Sequence, residues 1–100
     1  MMGVLHVVSR SPYTGLDISH CLQRMDEGDA LLLIAGAVYG ACRDSLVAAA
    51  IQAGSVKCYA LAPDLEARGI ALEQLLPEVT PIDFDGFVDL AVAYPRILSW

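Results

Sequence analysis

The sequence predicts an α/β fold, a three-layer α/β/α sandwich around a mainly parallel sheet of about four to five strands. Three observations carry that expectation. Residues 4–8 (VLHVV), 30–35 (ALLLIA) and 56–62 (VKCYALA) are nearly continuous apolar runs. Continuous runs, unlike alternating ones, mark strands covered on both faces, as in parallel sheets. The segments between them repeat their apolar residues at helical spacing, and turn formers punctuate the junctions.

The elements follow in order. Strand 4–8 ends at the turn signals Ser9, Ser11, Pro12 and Gly15. In the helix that follows, Ile18, Cys21, Leu22 and Met25 gather in one stripe at roughly 100° per residue. Asp17, His20, Gln23 and Arg24 take the other side. Run 30–35 is bounded by Gly28-Asp29 and Gly36. Residues 43–53 predict a helix with Leu46, Val47, Ala50 and Ile51 on one face and Gly54 as its stop. Run 56–62 ends at Pro63, and residues 64–76 offer a weaker helix interrupted at Gly69. Residues 79–83 (VTPID) contain Pro81 and belong at a sheet edge. The last helix, 84–94, has Phe84, Phe87, Val88, Ala91 and Val92 in register, Asp83 as N-cap and Pro95 as terminator. Alternation of this kind implies right-handed crossovers with helices on both faces. Residues 1–100 are expected to form a single domain, without repeats or linkers.

Composition narrows the function classes. Hydrophobic residues make up 56% of the chain and charged residues 18%. The longest nearly uncharged run, 30–42, is broken by Gly36 and Gly40 and falls short of the roughly 20 residues a membrane span needs. The first residues lack the basic region of a signal peptide, so a cytoplasmic location is expected. An apolar excess without a membrane segment implies burial against other subunits. A net charge of −6 with six scattered basic residues argues against direct nucleic-acid binding. Three cysteines, at 21, 42 and 58, suit neither a disulfide framework nor a zinc site. No metal or cofactor is expected.

His20 precedes Cys21, which invites the reading of a base beside its nucleophile. Adjacent helix positions do not face one another, however, so Cys21 reads first as a small buried residue and second as a thiol near a site. Cys42 lies beyond the second run, beside Arg43 and near a predicted helix start, where both neighbours would lower a thiol pKa. Cys21 and Cys42 are the minority candidates for chemistry; Cys58, within a strand, reads as core. His6 reads as a packed histidine bonded to a neighbour. GAVYG (36–40) lacks the Gly-Lys-Ser/Thr of a phosphate loop and suggests a tight turn or a close subunit contact. The charges of PDLEARG (63–69) read as a solvated face or an interface. Ligands of parallel sheets bind beyond the strands' C-terminal ends, here 9–13, 36–41, 62–64 and 83–86. No self-contained active site assembles there, and Ser9-Arg10 stand where a receiver domain would place acids.

Four segments in order, LHVVSRSPY (5–13), EGDALLLIAGAVYGA (27–41), YALAPDLEARG (59–69) and IDFDGFVDLAVAYPRILSW (82–100), resemble the TusB/DsrH family of small sulfur-relay subunits. The resemblance covers nearly the whole chain. It implies a DsrE-like, flavodoxin-like fold and a heterohexamer with two homologous subunits, TusC- and TusD-like. Such a complex passes persulfide sulfur to a downstream carrier protein, toward 2-thiouridine at the tRNA wobble position. In the sulfur-carrying sister subunit the key cysteine lies at the end of the third strand or the start of the next helix. This sequence has Leu61, Ala62, Pro63 and Asp64 there. The resemblance therefore implies a non-relay subunit, not catalytic alone. The alternative is a DsrH-type subunit of a sulfur-oxidation complex with persulfide on Cys21.

Overall fold

A computed structural model describes residues 3–54 and 56–100. Five strands, β1 (Val4–Val8), β2 (Ala30–Leu33), β3 (Lys57–Leu61), β4 (Val79–Ile82) and β5 (Arg96–Ser99), form one sheet in the order β4-β3-β2-β1-β5. Every pairing is parallel, with Leu5 beside Ala30 and Ile97, and Leu31 beside Cys58. The first three crossovers step one way across the sheet. The last returns over its whole width to set β5 on the free side of β1. Four α-helices connect the strands: α1 (Asp17–Arg24), α2 (Ala48–Ala53), α3 (Ala62–Ala67) and α4 (Phe84–Ala93). Two 3-10 segments, Ala35–Ala41 and Leu72–Gln74, complete the crossovers. The α/β class and parallel sheet are as the sequence implies, and β4, with Pro81, is an edge strand.

The two sheet faces are covered unequally. On one, Val8, Leu31, Leu33, Cys58 and Ala60 pack beneath Ile18 and Cys21 of α1, Val47, Ala48 and Ile51 around α2, and Leu65 of α3. On the other, Leu5, Val7, Ala30 and Leu32 are covered by α4, through Phe87, Leu90 and Tyr94. Asp83 caps α4 as the sequence suggests, its carboxylate accepting from the Gly86 amide at 2.8 Å. The α4 stripe nevertheless divides. Phe87 packs inward, while Phe84, Val88 and Val92 face outward. A helix apolar on most of its circumference does not specify which arc is buried.

Other expectations are corrected. Residues 43–47 are not helical; α2 begins at Ala48, and Leu46 and Ala50 are exposed. Ser45 accounts for the late start. Its hydroxyl donates to the Gly40 carbonyl at 2.9 Å and accepts from the Val47 amide at 3.3 Å, a local alternative to the helix ladder. Gly40 makes its close contact within the chain, since a Cβ there would lie 2.8 Å from Ile18 Cδ1. The strand β5 is an addition to the elements read from sequence.

Candidate functional site

The C-terminal rim of the sheet is where a parallel fold offers a site. After β1, residues 9–14 close a tight loop: the Ser11 hydroxyl accepts from the Tyr13 amide at 3.1 Å, and its carbonyl accepts from the Thr14 amide. After β2 the chain turns sharply at Ala35, whose φ of 49° lies in the left-handed region that side chains disfavour. The Asp64 carboxylate, on the first turn of α3, accepts from the Ala35 amide at 2.7 Å. Arg68 lies 3.9 Å from the same carboxyl group. Asp64 is thus an internal clamp between β2 and α3, and not one charge on a solvated face. At the end of β3 the rim presents this clamp and no thiol.

All three cysteines are buried. Cys21 and Cys58 belong to the main core cluster. Burial pushes the Cys21 thiol up to about 12, with the Asp29 carboxylate adding to the effect. Burial likewise pushes Cys58 up to about 12. A thiol at that value is ionised in roughly one molecule in 10^5 at neutral pH. His20 is exposed whereas Cys21 is buried, so the two side chains of α1 point in different directions. Cys42 does not stand at a helix start. It ends the 3-10 segment Ala35–Ala41 and forms a lone antiparallel bridge with Leu75. Arg43 turns to the Gln74 and Glu73 carbonyls. Burial, then Asp44, raises the Cys42 thiol, the reverse of the expected direction.

A polar cluster that the sequence indicated only through His6 lies near the opposite, N-terminal edge. The Trp100 indole N–H donates to His6 Nδ1 at 3.1 Å. An indole can only donate, so Nδ1 accepts and the ring proton sits on Nε2. Nε2 in turn donates to Asp29 Oδ2 at 2.9 Å. The Asp29 carboxylate also accepts from the Val4 amide at 2.8 Å and the Asp26 amide at 3.0 Å. Burial alone would raise its pKa; the two amides and His6 outweigh burial and hold it below the ordinary value. Arg24 lies over the Trp100 ring, 5.8 Å from its centroid. Beside the cluster are clefts of about 380 and 610 Å³, which share Val4, Asp26, Asp29 and Arg96. Among the described residues every buried side-chain polar atom has a partner. The cluster is a bolt joining β1, β2 and the chain's last residue. Asp29 and Trp100 have no spacing relation to His6 that a sequence motif would reveal.

Among the described residues no group of three or more His, Cys, Asp or Glu side chains is placed to hold a metal ion. No helix there is long and apolar enough to cross a membrane.

Comparison with known proteins agrees with the fold. The chain is similar to the ychN protein of E. coli, with a TM-score of 0.82 over the full length of both chains at 16% identity. It is similar to Tm0979 of Thermotoga maritima, with a TM-score of 0.67, covering 87% of this chain and 88% of that one at 24% identity. In sequence it is 40% identical to protein TusB of Pectobacterium parmentieri, over 97% of this chain and all of that protein. It is 35% identical to protein TusB of Shigella flexneri over the same shares. Residues 10–97 match the family described as DsrH like protein. The chain belongs to the TusB/DsrH family.

Proposed function

We propose that this chain is a non-relay, structural subunit of a Tus-type sulfurtransferase complex. One domain over residues 1–100, it assembles in the cytoplasm with two homologous DsrE-like subunits, TusC- and TusD-like, in a heterohexamer. The complex passes persulfide sulfur to a downstream carrier protein, toward 2-thiouridine at the tRNA wobble position. This subunit touches no nucleic acid itself.

The observation that carries the reading is the rim at the end of β3. Where a relay subunit needs an accessible thiolate in a positively biased spot, this chain has Asp64 engaged with the Ala35 amide. A carboxylate there opposes a persulfide anion. The buried, raised thiols of Cys21 and Cys42 support the same conclusion.

Incubation of the chain, alone and in complex with its two homologous subunits, with a donor protein bearing a radioactive outer persulfide sulfur, which leaves as its thiolate when that sulfur is taken, tests the reading. Label is expected on a partner subunit, unchanged by Cys21→Ser or Cys42→Ser. A stable monomer that accepts sulfur would overturn the reading, and loss of label on Cys21→Ser would move the relay to this chain.

A further inference from the structure

The outer side of α4 has no role in holding this chain together. Phe84, Val88 and Val92, at i, i+4 and i+8, form one ridge and are 60, 61 and 81% exposed. Single exposed apolar residues are ordinary, but a contiguous ridge on a helix marks a surface that something covers. Asp85 and Asp89 run beside the ridge and are exposed. Among the described residues neither has an ion-pair partner, and α4 carries no Lys or Arg. An apolar centre with a charged rim is the anatomy of a protein–protein interface.

Charge selects the occupant. An antiparallel two-fold pairing of α4 with a second copy would set Asp85 and Asp89 beside their own copies, and any self-association joins two chains of net charge −6. A membrane with anionic headgroups is repelled for the same reason. We infer that the outer ridge of α4 docks a different protein chain, one offering an apolar groove flanked by Lys or Arg opposite Asp85 and Asp89. The inference rests on the assembly proposed above and names the face of this subunit that enters it.

The test uses the full-length chain co-expressed with its TusC- and TusD-like partners, with complex mass read by light scattering and affinity by titration. Val88→Glu and the double change Asp85→Lys with Asp89→Lys are each expected to weaken assembly at least tenfold, leaving the circular dichroism and thermal melt of the isolated chain unchanged. Leu46→Glu, at a residue 70% exposed in the loop before α2, is the control and is expected to stay within twofold of wild type. Wild-type affinity in both α4 variants overturns the ridge as the docking face while leaving the assembly intact. A wild-type chain that dimerises alone, and that Val88→Glu returns to monomer, makes a second copy the occupant and overturns the inference. Failure of the wild-type chain to assemble with either partner overturns the assembly, and the occupant named here with it.

Discussion

The two faces of the sheet are built for different ends. One is closed by three helices, the 3-10 segment Ala35–Ala41 and the pair Leu75 and Leu76, and Leu31, Leu33, Ile18 and Cys21 within it are essentially inaccessible. The other depends on α4, in which no residue is fully buried. A sheet of five strands is about 19 Å wide, and one helix with its side chains covers about 10–12 Å. Ile97, on the α4 face by its register with Leu5, is accordingly 49% exposed. The closed face holds the larger buried cluster. The open face holds apolar area in reserve.

The largest expected effect breaks the closed face. Leu31→Ala removes a fully buried side chain from the middle of β2 and is expected to cost about 2–5 kcal/mol, by transfer and cavity terms together. Val88→Ala, on the outer side of α4, should change the isolated chain by less than about 0.5 kcal/mol. Urea unfolding of both variants measures the contrast. Equal losses would mean that the outer side of α4 contributes as much to the isolated chain as the buried strand β2.

The next effect concerns the bolt that ties β5 into the molecule. Asp29→Ala strips the acceptor from three donors, the Val4 and Asp26 amides and His6 Nε2. The expected loss is about 2–3 kcal/mol. Trp100, the single tryptophan, hangs on the same chain of bonds through His6. Its emission should shift toward that of exposed indole before the rest of the fold is lost. The pH dependence has a defined sign. The Asp29 carboxyl is held below its ordinary value in the folded state. Its contribution is therefore complete above the unfolded pKa, about 3.9, and is lost as pH falls through the lower folded value. Urea midpoints from pH 6 down to 3 should fall more steeply in the wild-type chain than in Asp29→Asn.

Much of the closed face was legible because its signals are local. Continuous apolar runs at 4–8, 30–35 and 56–62 located three strands, and the stripe Ile18, Cys21, Leu22, Met25 oriented α1 correctly. The open face was less legible. The strand β5 is four exposed residues whose pairing with β1 depends on a crossover spanning the sheet. Nothing in RILS encodes that neighbour. The stripe on α4 was visible, but its division into an inner and an outer arc is set by where the helix crosses the sheet. Cys42 falls short of a helix start because propensity favours a helix from residue 43, whereas the hydrogen bonds of Ser45 delay it to Ala48. At the candidate site, the missing cysteine after β3 was plain in sequence. The use of Asp64 was not, since its partner is an amide 29 residues away.

The smallest effect lies where β2 leaves the sheet between the two faces. Ala35 holds a left-handed φ of 49°, a conformation that costs an L-residue roughly 1–2 kcal/mol. Glycine removes that cost, although it gives back about 0.5–1 kcal/mol through the greater freedom of the unfolded chain. Ala35→Gly should therefore stabilise the protein by at most about 1.5 kcal/mol. The gain should depend on the clamp: with Asp64→Ala, the Ala35 amide loses its 2.7 Å acceptor and the turn can relax away from positive φ, so glycine there gains little. A double-mutant cycle on urea midpoints measures the coupling. Strict additivity would show that the turn is held by the closed face packed beneath it, and that Asp64 is incidental to its shape.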